Sequence, residues 1–458
     1  MFSVQSVLKP SLKEAILLTI AIVGIISYCI IFLETVPHIP LLLAIFLLML
    51  YGFIRKVPFH EMEMGVFNGA KSGMGAVFIF FFIGILISSW MLSGTIPTII
   101  YVGFHLVTPY FFYAIIFVVT AIIGLCIGSS LTTVATAGVA FIGVAAAIDA
   151  SLAITAGAIV SGAFFGDKMS PLSDTTNLAA SIVEVDLFTH IRNMAWTTIP
   201  AFLFSIIAFA FLSPKIELTH FPKIEEMQHT LMKEELIHWY AIIPLIILLI
   251  FSIKKISAFI TLAVSSAVAV CFSFIHTSYS LSEVFNILFS GYVSKTGNAD
   301  IDALLTRGGM DSMMFTISLV LLALGLGGLL FTLGIIPKLF KTIEHKLKTV
   351  GSLIFSTALS AVGINVLVGE QYLSILLTGE AFKNQYDRLG LQKKNLSRAL
   401  EDAGTVINPL VPWGVCGVFI TKVLEVPTMS YLPFAFFCLL SPILTILFGI
   451  TGFSISRK

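Results

Sequence analysis

The chain has 458 residues, 57% hydrophobic and only 11% charged, with a mean hydropathy of +1.02 and a formal net charge of +1. Soluble globular chains carry about 25% charged residues, so this composition excludes a soluble domain and describes a polytopic membrane protein. A net charge so close to zero gives no electrostatic case for nucleic acid as a partner.

In chain order, the first fifteen residues show no small-x-small cleavage pattern after a short apolar core, so the first apolar run, 15–33, is expected to be a retained helix. Residues 39–54 span next and are closed by Arg55 and Lys56. Residues 58–71 are mixed and read as interfacial. Residues 73–92 span again, and 94–108 read as a connector. Two apolar segments, 110–127 and 131–148, are joined only by Gly128-Ser129-Ser130. The stretch 151–183 carries Asp167, Lys168 and Asp174 around Pro171 inside apolar sequence. Pro171 cannot donate a backbone hydrogen bond, and Ser, Asp and Thr compete for backbone partners, so a broken helix is expected. A charge at the bilayer centre costs roughly 2.5 kcal/mol or more, which makes these residues functional candidates. After a span at 195–212 comes a polar, acidic insert at 213–237. The second half repeats the pattern with 240–252, 256–275, a polar connector to Gly309, 310–336, 350–368, 371–382, 396–424 and 431–450.

The halves align internally. Gly94-x-Ile96-Pro97 and Met74 match Gly334-x-Ile336-Pro337 and Met314 with an offset of 240, Gly128 and Gly138 match Gly369 and Gly379 at 241, and Pro171-Leu172 match Pro409-Leu410 at 238. Of the 26 Lys and Arg residues, nineteen fall on one side if spans alternate and six on the other, with Lys168 inside the membrane. Positive residues stay cytoplasmic, so both termini are expected in the cytoplasm. Residues 110–148 and 350–382 each enter and leave on one side. Charge alone fits two crossings or a re-entrant hairpin equally. The short apolar part of the second arm, 372–377, favours a hairpin. The expected architecture is an all-α integral membrane protein of two inverted-topology repeats, each with spanning helices, a re-entrant hairpin and a broken helix. The first repeat covers 1–213, an extracytoplasmic connector 214–237, and the second repeat 238–458. Inverted repeats with discontinuous helices are the architecture of secondary transporters.

Four polar groups are expected to converge under this plan. They are the turn with Ser129, Ser130 and Thr133, the break with Asp167, Ser173, Asp174, Thr175 and Asn177, the turn with Glu370 and Gln371, and the break with Asp402, Thr405 and Asn408. Carboxylates, hydroxyls and freed carbonyls form a hard-oxygen set suited to Na⁺ or Li⁺, and a buried carboxylate can exchange a cation for a proton. Asp174 and Asp402 are the carboxylates expected on the metal cation. Asp167 and Lys168 are expected to neutralise one another across the break, and Glu401 to point away from the site that Asp402 faces. Asp149 and Glu184 read as interfacial. The five cysteines, Cys29, Cys126, Cys271, Cys416 and Cys438, lack CxxC or Cys/His spacing and read as packing residues. The Gly325-x-Gly327-Gly328 cluster permits close helix packing.

The motifs FGDKMSPLSDTTN (165–177), GEQYLSILLTGEAF (369–382) and EDAGTVINPLVPWGVCG (401–417) resemble signatures of the NhaC-type sodium/proton antiporter family. The resemblance extends over nearly the whole chain. It implies a multi-pass carrier of a bacterial plasma membrane exchanging Na⁺ for H⁺, or malate for lactate with the same ions. Gly414-Val415 stand where the family pattern has Asn-Thr after Trp413, and Leu131 stands where a Trp commonly follows the Ser of the first turn. No cofactor and no catalytic residue are expected. The partners are the bilayer, a small inorganic cation and a proton, with a homodimer as the assembly. Competing classes fit less well. Gly166-Asp167 lacks the remainder of an intramembrane aspartyl protease motif, no continuous polar stripe suggests a channel, and no GxxxxGK[ST] loop supports ATP-driven transport.

Overall fold

The computed structural model describes residues 6–33, 35–106, 111–213, 229–233, 237–254, 256–276, 279–297, 302, 305–344 and 348–458. Most of the expected connector at 214–237 therefore lies outside the described residues. Among those described there is no strand, only the isolated bridges Tyr292–Arg307 and Leu391–Arg457. Among the described residues, seven helices are long and apolar enough to cross a membrane, and three bent pairs raise the number to ten.

The helices form two runs, one on each side of residues 214–237. The first run opens with α1 (Leu12–Ile31), α2 (His38–Ile54), α3 (Phe59–Ser72), α4 (Met74–Leu92) and α5 (Thr95–Leu106). It continues with α6 (Phe112–Ile127), α7 (Ser130–Ala147), α8 (Leu152–Met169), α9 (Asp174–Ile182) and α10 (Leu187–Leu212). The second run opens with α11 (Ile243–Ile253), α12 (Ala258–His276), α13 (Leu281–Ser290), α14 (Met314–Thr332) and α15 (Ile335–Glu344). It continues with α16 (Val350–Val368), α17 (Gln371–Arg388), α18 (Lys394–Leu400), α19 (Val415–Leu424) and α20 (Phe436–Thr451). From α4 and α14 onward, elements recur at the offsets read from the sequence. α4 and α14 are both 19 residues long and start at Met74 and Met314. Each is followed by a left-handed glycine, Gly94 at φ 76° and Gly334 at φ 70°. α10 and α20 each carry an internal proline, Pro200 and Pro442.

Three expectations need correction. Residues 58–71 are not a free interfacial segment. They form α3, which lies against α14 so closely that a Cβ on Gly69 would meet Gly328 Cα at 3.0 Å. Small residues allow this approach, and it covers a helix whose sequence alone is too polar to look embedded. The expected connector at 94–108 is helical as α5 as far as Leu106, and the polar connector before Gly309 contains α13, which opens with a capping box between Ser280 and Glu283. The segment 396–424 carries the break expected there, running as α18, a π-helical turn Glu401–Thr405, a 3₁₀ turn Asn408–Leu410 and α19.

Candidate carrier site between two helix breaks and two hairpin tips

Each run places one hairpin tip against one helix break. α6 ends on Gly128 at φ 69°, and Ser129 then caps α7 by accepting from the Thr132 amide at 3.3 Å. α16 ends on Gly369 at φ 72°, and Glu370 caps α17 by accepting from the Leu373 amide at 2.7 Å. A left-handed residue costs an L side chain roughly 1–2 kcal/mol, which is why glycine stands at both tips. The breaks follow from Pro171 and Pro409. α8 stops at Met169, and Ser173 caps α9 by accepting from the Thr176 amide at 3.4 Å.

Tip and break are stitched together in both runs. In the first, Asp167 accepts from the Ser130 amide at 3.1 Å. In the second, Asn408 donates to Asn365 Oδ1 at 2.9 Å and to the Gly369 carbonyl at 3.0 Å, and accepts from the Cys416 amide at 2.8 Å. Asn408 therefore holds the second break against the second tip. Asn177 does similar work at the first break, donating to the Pro171 and Ser173 carbonyls at 3.0 and 2.7 Å.

Between them lies a cavity of about 880 Å³. Its lining includes Ser129, Ser130, Asp167, Asp174, Thr175, Asn177, Glu370 and Gln371. Asp174 and Asn177 are exposed to this space, while Asp167, Ser130, Glu370 and Gln371 are buried in its wall. Gln371 Oε1 is buried without a hydrogen-bond partner. Thr133 and Ser173 stand just behind the wall. Thr133 donates to the Ser129 carbonyl at 2.9 Å, and Ser173 Oγ lies 3.1 Å from Thr175 Oγ1. Among the described residues, no group of three or more His, Cys, Asp or Glu side chains is placed to hold one metal ion. The acids thus face a shared space at separate points, and any cation bound there takes most of its ligands from hydroxyls, amides and carbonyls.

The second break contributes less to the cavity than expected. Asp402, Thr405 and Asn408 do not line it; Val415 at the start of α19 does. Asp402 is instead fully buried in an ion pair with Lys168, and also accepts from Thr197 at 2.8 Å and from Thr445. This corrects the expectation that Asp167 neutralises Lys168. Consecutive helical residues point in different directions, so Asp167 faces the tip while Lys168 faces α10, α20 and the second break. The Lys168 ammonium also lies 5.5 Å from the Phe437 ring centroid. Asp402 is accordingly a structural partner of Lys168 in this arrangement, not a cavity ligand opposite Asp174.

Sequence reasoning missed Asn68, Lys71 and Tyr372, all of which line the cavity. Lys71 was visible as a cation in the last turn of α3, but only the packing of α3 on α14 brings it to the site. Thr197 and Thr445 were also missed. Their signal is positional: each sits three residues from the internal proline of its helix, Pro200 or Pro442. Outside the spanning segments, Glu184 bridges Lys383 at 2.7 Å and Lys393 at 2.9 Å. Hydrogen bonds from Lys383 and Lys393, with their charges, hold its carboxyl well below the usual range, at about 2.

Apolar helices enough for a multi-pass membrane protein, with a polar cavity at two discontinuous helices and two hairpin tips, define a helical membrane carrier. Residues 162–453 match the family model described as Na⁺/H⁺ antiporter family. The chain is 40% identical over 451 residues to the Na⁺/H⁺ antiporter NhaC of Alkalihalophilus pseudofirmus, covering 98% of both chains. It is 39% identical over 446 residues to the protein of the same name from Bacillus subtilis, covering 96% of this chain and 98% of that one. A malate-2H⁺/Na⁺-lactate antiporter of Bacillus subtilis is 31% identical over 453 residues, with 98% of this chain and 96% of the relative covered. The chain belongs to the NhaC-type Na⁺/H⁺ antiporter family.

Proposed function

We propose that this protein is a secondary antiporter that exports Na⁺, and Li⁺ by the same chemistry, in exchange for H⁺. The observation that carries this reading is the charge of the cavity wall. Asp167, Asp174 and Glu370 line it, against Lys71 as the cation among the described lining residues. A wall with this excess of carboxylates attracts a small cation. Buried hydroxyls and the unpartnered Gln371 carbonyl offer oxygens to replace its water. Asp174, exposed to the space, is assigned the exchanging carboxylate, with Thr175, Ser129 and Ser130 as neutral ligands. Asp167 and Glu370 tie the two tips to the same charge balance. A proton and a cation cannot both neutralise one carboxylate, so their competition supplies the coupling. The family relationship, with relatives named as Na⁺/H⁺ antiporters, supports the same reading.

The recurrence of helices, tips and breaks from α4 and α14 onward supports inverted repeats that rock against one another, and the Lys/Arg asymmetry supports termini in the cytoplasm of a bacterial cell. A second reading, exchange of an organic anion coupled to these ions, is favoured by one observation. A cavity of about 880 Å³ is far larger than one ion needs, since a water molecule occupies about 30 Å³. Lys71 and Asn68 would then face the anion. Dye-reported proton movement in proteoliposomes, under imposed Na⁺, K⁺, malate and lactate gradients, separates the two. Na⁺ alone driving protons supports the antiporter; movement only with malate or lactate supports the exchanger.

A further inference from the structure

The π-helical turn of the second break holds a group that the cavity does not use. Glu401 is fully buried, and neither of its carboxylate oxygens has a hydrogen-bond partner. Thr405, one π turn on, turns its buried hydroxyl toward the Glu401 carboxylate, and no other group partners that hydroxyl. Thr378 on α17 carries a second fully buried hydroxyl without a partner. The register of α17 against this segment brings Thr378 to the same level. A Cβ on Gly404 would meet Ser374 Oγ at 3.3 Å, and one on Gly379 would meet Leu400 Cδ1 at 3.1 Å, so the two elements run antiparallel with Thr378 beside Leu400 and Glu401. Threonine hydroxyls inside helices ordinarily donate to the carbonyl four residues back. Thr357 and Thr136 do so here, at 2.8 Å each. Thr378 and Thr405 do not.

Buried polar oxygens without partners are uncommon, and a bare buried carboxylate is far costlier than a bare hydroxyl. Several such oxygens at one level of two packed helices, on a π-helical turn of the kind found at functional sites, form a hard-oxygen set around a single negative charge. Neither nearby cation hydrogen-bonds to the Glu401 carboxylate. Lys168 is paired with Asp402, and Arg398 donates Nη1 to Ser454 Oγ at 2.9 Å.

We propose that Glu401, Thr405 and Thr378 form a second monovalent cation site that takes Na⁺ without its water, closed off from the cavity around Asp174. The site rests on reading the protein as a Na⁺ carrier, and it separates an enclosed ion from the one exchanged at the cavity.

Equilibrium binding of ²²Na⁺ to the purified full chain counts the ions. The wild type should bind two Na⁺ per chain, Glu401→Gln one, and Asp174→Asn one. One ion in the wild type, or two retained in Glu401→Gln, overturns the proposal; a Glu401 that only carries a proton gives the first of these results. Thr405→Val keeps the carboxyl and should weaken the second ion at least about tenfold. If Glu401→Gln does not fold, Thr405→Val decides, and unchanged two-site binding in it overturns the proposal. Two ions in Asp174→Asn would instead overturn the cavity assignment, leaving the second site standing.

Discussion

Lys168 and Asp402, 234 residues apart in the chain, meet as a fully buried ion pair that ties the first helix break to the second. Thr197 and Thr445 complete the Asp402 carboxylate from α10 and α20. The pair thus locks together the elements that shape the cavity without entering it. Breaking such a pair by removing one partner costs about 3–5 kcal/mol, because a buried charge is left alone. Lys168→Met and Asp402→Asn should each lower the melting temperature in detergent strongly. The double variant should recover most of the loss, which a double-mutant cycle measures directly. Additive losses would mean that the two side chains do not depend on one another.

The two tips should differ in their tolerance of a side chain. Gly128→Ala and Gly369→Ala both force alanine into left-handed backbone, costing roughly 1–2 kcal/mol. At Gly128 the new Cβ would also lie 2.7 Å from Leu172 Cβ, whereas at Gly369 the nearest atom is the Trp413 carbonyl oxygen at 3.1 Å. Gly128→Ala should therefore be the more damaging, in melting temperature and in the Na⁺ concentration for half-maximal transport. The reverse order would show that Leu172 gives way.

What was readable in the sequence follows from local chemistry. Pro171 and Pro409 cannot continue a helix, and Gly128 and Gly369 permit a sharp reversal, so breaks and tips were visible at the correct residues. The partner of Lys168 was not. Its nearest acid in sequence, Asp167, points elsewhere on the same helix, and the true partner depends on how two distant breaks cross. The role of α3 was hidden for a similar reason. Its glycines give no hydrophobic signal, and only contact with Gly328 shows why they are small.

Asn408 should prove structural, in contrast to the exchange proposed for Asp174. Its side chain makes three buried hydrogen bonds between break and tip, and each buried group left unpaired costs about 1–3 kcal/mol. Asn408→Ala should lower the melting temperature clearly. Asn408→Asp keeps an acceptor for the Cys416 amide but turns a buried carboxylate oxygen toward two acceptors, Asn365 Oδ1 and the Gly369 carbonyl, so it should lower the melting temperature at least as much. Equal stability of all three proteins would remove Asn408 from this role.

The ion pairs of Glu184 make a prediction about pH. Its carboxyl is held near 2, below its ordinary value of 4.5, so its contribution to stability is present above 4.5 and lost as pH falls toward 2. Because Glu184 is exposed, the contribution is small and weakened by salt. Melting temperatures of the wild type and Glu184→Gln should therefore differ by a constant small amount from pH 6 to pH 9. A difference that grows steadily across that range would require another titrating group.

In the proposed exchange, the carboxylates of the cavity wall trade a cation for a proton, with Asp174 at the point of exchange. The direct measurement is Na⁺-driven proton movement in proteoliposomes containing equal amounts of inserted wild type or Asp174→Asn protein. Na⁺ and Li⁺ should move protons through the wild type without any organic anion, and Asp174→Asn should lose this movement while remaining folded. Proton movement at the wild-type rate in Asp174→Asn would contradict the proposed exchange.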